Sequence, residues 1–113
     1  MDQTGNNAGW SELWWAVENL DADTVRGLLE GGADPNEPGS PPLTSLLHLA
    51  INGEAAELAY GVDPGIEVTR MLVEHGADLR DVDASGETPI QFARSAHHPE
   101  AIRFLEAKLA EPN

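Results

Sequence analysis

Four histidines, twenty acidic side chains and three tryptophans are the residues of this 113-residue chain whose chemistry could go beyond packing. Zinc would need three or four convergent ligands, whereas His97 and His98 are chain neighbours whose side chains diverge. No metal or cofactor site is expected. General acid–base catalysis needs two carboxyl groups in a sheltered cleft, and the acids here are spread along the chain. Asp21 and Asp23 stand where they favour a helix N-terminus, and Glu30 and Glu74 punctuate helix ends. With no cysteine, Gly-rich phosphate loop or nucleophile elbow, no catalytic residue is expected, and the chain does not read as an enzyme.

Charge narrows the partners. Twenty acidic against six basic residues give a formal net charge of −14, and the basic residues are scattered singly from Arg26 to Lys108. Nucleic acid binding draws on clustered lysine and arginine, so it is excluded as an expectation, and a basic protein is the better electrostatic match. The absence of cysteine is compatible with a reducing compartment, which places the expected location in the cytoplasm. Met1 to Gly9 does not read as a signal peptide, and no apolar run approaches the roughly 20 residues of a membrane span. The length suits one domain, expected to be a monomer.

The elements that would position any site emerge from a recurrence. Gly32-Ala33-Asp34 and Gly76-Ala77-Asp78 each follow an apolar helical pattern, Val25, Leu28 and Leu29 in one case and Val68, Met71 and Leu72 in the other. Both triplets read as helix stops, where glycine accepts a left-handed conformation at little cost. Upstream lies a second recurring segment ending in alanine: Ser11 to Ala16, Ser45 to Ala50 and Thr88 to Ala93. Its hydroxyl residue can cap a helix, Pro89 fits the first helical position, and Leu13, Leu47 and Ile90 face inward.

These segments resemble the Thr-Pro-Leu-His-x-Ala signature of ankyrin repeats, units of about 33 residues. Ala16 to Ala50 spans 34 residues, and Asp83-Ala84-Ser85-Gly86-Glu87-Thr88-Pro89 supplies the family's Asp-x-x-Gly-x-Thr-Pro opening. His98-Pro99-Glu100 resembles the turn between paired helices, followed by Ala101, Ile102, Leu105 and Leu109 on one face. The resemblance implies an all-α solenoid of three helix-pair repeats with short or hairpin-like connecting loops. Its divisions would be an N-terminal segment 1–10, a repeat domain 11–109 (units 11–40, 41–82 and 83–109) and a tail 110–113. His48, in the motif's histidine position, is then implied to hydrogen-bond the loop joining successive repeats.

Three features depart from the pattern. Ala50 to Gly76 spans 26 residues where Ala16 to Gly32 spans 16, so about ten residues are added near 54–63. The expectation is a longer first helix or a protruding turn, serving either as tolerated drift or as a display for Leu58 and Tyr60. Glu37-Pro38-Gly39-Ser40-Pro41-Pro42 is too rich in proline for a regular hairpin. Trp10, Trp14 and Trp15 cluster at the start of the stack; core or cap roles suit Trp14 and Trp15, with Trp14 expected to be partly exposed, and Trp10 could equally anchor an interface.

By the same resemblance the concave face binds a protein partner. The implied contact positions are Trp10, Glu18 and Asn19 in the first unit, Thr44, Asn52 and Gly53 in the second, and Ala84, Ser85, Glu87, Ser95 and Ala96 in the third. The expected function is a small acidic adaptor or regulator. Alternatives are an acidic inhibitor or immunity-type protein neutralising a basic enzyme such as a nuclease toxin, and a small hydrolase on an ankyrin scaffold.

Overall fold

Each of the hydroxyl residues before the recurring alanines starts a helix. Ser11, Ser45 and Thr88 accept hydrogen bonds from the backbone N–H groups of Trp14, His48 and Gln91 at 3.2, 3.0 and 3.4 Å. The Gln91 side chain returns the favour to the Thr88 N–H, completing a capping box, with Pro89 in the first turn. In a computed structural model that describes residues 11–37 and 45–111, six helices result: α1 (Glu12–Glu18), α2 (Ala22–Glu30), α3 (Leu46–Ala59), α4 (Glu67–Glu74), α5 (Pro89–Ser95) and α6 (Pro99–Leu109). No strand occurs among the described residues. The proline-rich loop expected to be irregular falls largely on residues 38–44, outside the described residues.

Five of the helices stop in the same way. After α2, the Ala33 N–H donates to Leu28 O and the Gly32 N–H to Leu29 O; after α4, Ala77 and Gly76 repeat this with Leu72 and Val73. Both glycines sit at φ 103°, where a side chain would be strained. The same paired bonds close α1 at Leu20, α3 at Gly61 and α5 at His97. Leu20 and His97 hold the left-handed position without being glycine, at φ 52° and 60°.

Helices pair as α1 with α2, α3 with α4 and α5 with α6, and the pairs stack through α1 on α3, α3 on α5 and α2 on α4. The core follows the apolar spacing: Leu13, Val17, Val25, Leu29, Val68, Met71, Leu72, Ala93, Ala101 and Leu105 are buried. In the middle, α3 is covered on several sides, and every residue from Leu46 to Ile51 is buried. Ile90 is half-buried, and Leu109 is exposed despite its expected place on the inner face of α6.

Trp14 corrects an expectation: it is buried, 2% exposed, and it is Trp15 that is half-buried. Its counterpart His48 is equally buried, so this position faces into the stack in both units whichever side chain fills it.

The first helix of the middle pair has fourteen residues, twice the seven of α1 and α5. Seven residues fall only about 20° short of two turns, so the chain leaves α3 on the same side as it leaves its neighbours, about 10 Å further along. The return to α4 is correspondingly longer. Asp21 and His98 each end one helix turn and stand at once as the N-cap residue of the next helix, whereas three residues separate Val62 from Ile66, the N-cap of α4.

Glu54, the first residue of the added stretch, is not on the surface. It occupies the place where Leu20 and His97 turn the chain in the other units, yet it stays helical and is 1% exposed. Its Oε2 accepts the Thr69 N–H at 3.2 Å, and its Oε1 accepts the Thr69 hydroxyl at 2.7 Å and the Nε2 of His98 at 2.8 Å. Ile66 offers α4 no side-chain cap. Glu54 therefore caps α4 from a neighbouring helix, and its negative charge suits that N-terminus.

Substitutions at Glu54, His98, His97 and Leu20 test these readings. Glu54→Ala leaves the buried Thr69 and His98 donors without an acceptor and should cost about 3–5 kcal/mol in urea denaturation, whereas replacing Glu54 and His98 together by leucine should recover part of that loss. His97→Gly relieves an exposed left-handed residue and should stabilise by about 1 kcal/mol. Leu20→Gly should not, because the Leu20 side chain packs over Gly53.

Candidate functional site

The inner helices and the tips of the loops before them form the surface on which the implied contact positions fall. At its third-unit end, Asp83 organises the tip: its Oδ1 accepts the N–H groups of Ser85 and Glu87 at 2.9 and 3.0 Å, and its own N–H donates to Glu87 O. Gly86 closes the turn at φ 86°. Ala84 and Ser85 are left exposed at the apex. Glu87 is half-buried, and its Oε2 accepts the Ser95 hydroxyl at 2.8 Å, so the structure joins two of the implied contact residues to each other.

His48 fixes this tip to the middle unit. Its Nε2 donates to Glu87 O at 2.8 Å, and its Nδ1 lies 2.5 Å from the Ser45 hydroxyl. With the hydrogen on Nε2, the Ser45 oxygen accepts the His48 N–H and donates to Nδ1, so every polar group of this buried joint is satisfied. The role that the resemblance implied for His48 is thus the one its geometry performs. The loop edge carries a second joint: the Asn36 amide donates to Gly76 O at 2.9 Å and accepts the Asp78 N–H at 2.7 Å.

The remaining positions divide by exposure. Glu18, Asn19, Asn52 and Ser95 are exposed along the ends of the inner helices. Asn19 also caps α1, its side-chain amide donating to Trp15 O at 2.9 Å. Gly53 is half-buried beneath Leu20, and Ala96 is half-buried, so both shape the surface more than they reach from it. Leu58 is half-buried, whereas Tyr60 is 87% exposed at the end of α3. Trp10 and Thr44 lie outside the described residues.

Electrostatics are uneven along the stack. Residues 1–78 hold fourteen of the acidic and only two of the basic side chains. Both of those arginines are engaged: Arg26 with Asp23 at 3.0 Å and Glu67 at 3.3 Å, Arg70 with Glu67 at 3.1 Å. The hydrogen bond that it donates to Asp23 holds the Arg26 guanidinium above its usual range. These pairs are solvent-exposed and add little stability, and they leave acidic side chains far in excess of basic ones over residues 1–78.

Comparison with known proteins agrees with this architecture. The family model described as ankyrin repeats (many copies) matches residues 47–106. The chain is 32% identical over 98 residues to the ARF GTPase-activating protein Git of Drosophila melanogaster, an alignment covering 85% of this chain and 12% of that protein. It is 33% identical over 89 residues to ankyrin repeat domain-containing protein 37 of Mus musculus, covering 79% and 50%, and 40% identical over 86 residues to the BTB/POZ domain and ankyrin repeat-containing protein NOOT2 of Medicago truncatula, covering 74% and 15%. The chain spans between about a tenth and a half of the length of these relatives. Three stacked helix pairs, the shared capping and stop signals, the histidine joint and the family match together show that this chain belongs to the ankyrin-repeat family, whose domains serve as protein–protein interaction modules.

Proposed function

We propose that the chain is a cytoplasmic, monomeric adaptor or regulator that binds a basic protein partner through its concave face. The observation that carries this reading is the row of exposed polar side chains, Glu18, Asn19, Asn52, Ser85 and Ser95, held on a surface whose tip and inner helices are pinned by partly buried hydrogen bonds. A preorganised surface loses little freedom on binding. Glu87 and Ala84 complete the tip, Gly53 and Ala96 leave room for close approach, and Trp10 and Thr44 extend the contact set. The units follow the boundaries 11–40, 41–82 and 83–109.

The concentration of acids in residues 1–78 favours a second reading within the same class, an inhibitor or immunity-type protein that neutralises a basic enzyme such as a nuclease toxin by occupying its phosphate-binding cleft. A hydrolase draws no such support. Of the buried acids, Glu54 has both carboxylate oxygens engaged by Thr69 and His98, and Asp83 uses its Oδ1 on the backbone of its own turn. No helix among the described residues is long and apolar enough to cross a membrane.

A partner obtained by affinity capture should lose about tenfold or more in affinity to Asn52→Arg combined with Ser85→Arg, measured by calorimetry, while Thr24→Arg on α2 should leave binding unchanged. Raising sodium chloride from about 50 to 500 mM should weaken the complex if the partner is basic. Equal binding by the concave-face variant would sink the proposal. Stoichiometric loss of a captured nuclease's activity would select the inhibitor reading.

A further inference from the structure

The first half of α3 is sandwiched by α1 and α5, but those helices end seven residues short of it. Ala56, Glu57, Ala59 and Tyr60 on its last two turns are exposed, and so is Val62 in the turn beyond. Tyr60 at 87% and Val62 at 50% are the two most exposed large hydrophobic residues described, two positions apart. The turn that presents them is built: the Val62 and Gly61 N–H groups donate to Glu57 O and Leu58 O, and Asp63 Oδ1 accepts the Gly65 N–H at 3.0 Å. Folding gains nothing from this exposed apolar pair.

Charge says what would cover it. Glu57 and Asp63 flank the pair, and no lysine or arginine occurs anywhere from residue 27 to 69. Ala56 and Ala59, three apart on one helix face, present little bulk, so another helix can approach α3 closely there. The face thus offers a small-residue ledge, an apolar grip at its end and carboxylates on its margin. Its complement is an apolar stripe bordered by cations.

We propose that the last two turns of α3 and the Tyr60–Val62 turn dock a cationic amphipathic helix of the partner protein, laid along Ala56 and Ala59. This rests on the protein-binding reading and adds a second contact beyond the concave face. Tyr60 and Val62 hold the apolar side of the incoming helix, and Glu57 and Asp63 meet its lysine or arginine side chains.

The test titrates the ¹⁵N-labelled full chain with a synthetic helical lysine–leucine peptide and with an oligolysine of equal charge, following amide shifts. The lysine–leucine peptide should shift Ala56 to Gly65 and bind at least about fivefold more tightly than oligolysine. Tyr60→Ala with Val62→Ser should remove that advantage, and Glu57→Gln with Asp63→Asn should weaken both peptides; unchanged thermal melts would show that the fold is intact. Several results overturn the proposal. If shifts centre on Asn52, Ser85 and Ser95 and the Tyr60/Val62 variant binds as well, the concave-face reading stands and the second contact falls. Equal binding of both peptides removes the apolar grip. No binding of either removes the basic-helix partner as well.

Discussion

The carboxylate of Glu54 is the interaction on which the enlarged middle unit depends. A buried acid is costly unless its oxygens are met by donors, and here both are met, one by the N-terminal turn of α4 and the other by Thr69 and His98. Three helices are thereby fixed at one point: α3, which carries the acid; α4, which lacks a cap of its own; and α6, whose N-cap is His98. Where the neighbouring units reverse the chain at Leu20 and His97, the middle unit keeps its helix, and the residue at that place becomes a joint between units. The apolar stack supplies most of the burial. The acid determines where α4 and α6 begin relative to α3.

Much of the fold was legible in the chain because its signals are local. A hydroxyl residue five positions before alanine, an apolar row at three-and-four spacing and a glycine stop each act through nearby backbone groups, and their recurrence identified the helix pairs before any packing was known. The Asp83–Thr88 opening was legible for the same reason. Glu54 was not. In Glu54-Ala55-Ala56-Glu57 it has the look of one more solvated acid, and only the approach of Thr69 and His98, 15 and 44 residues away, gives it donors. Trp14 failed for a related reason: whether a residue at that helical position is covered depends on the neighbouring helices, which local spacing does not contain.

The site was legible in outline through resemblance, and exposure refined it. Asn52 and Ser95 are both exposed on the inner helices, but the Ser95 hydroxyl is tied to Glu87, and Gly53 lies under Leu20. These distinctions come from side chains meeting across units. Asn36 illustrates the limit: its amide both donates and accepts across the loop edge, a pairing invisible in a sequence where Asn36 reads as one turn residue among several. Arg80 holds the corresponding place in the next loop and offers only donors, so it cannot make the same two-way clasp.

The seven-residue lengthening of α3 makes length in this stretch a matter of phase more than of size. Removing one residue between Ala55 and Tyr60 would rotate the exit by about 100° and send the chain away from the α2–α4 row, although hardly any mass is lost. Removing seven would return the exit almost to its present bearing, although half of the helix is gone. Inner helices of such a stack can therefore grow or shrink in steps near whole pairs of turns while the neighbouring units stay where they are, and variants that persist in this region would differ by those steps.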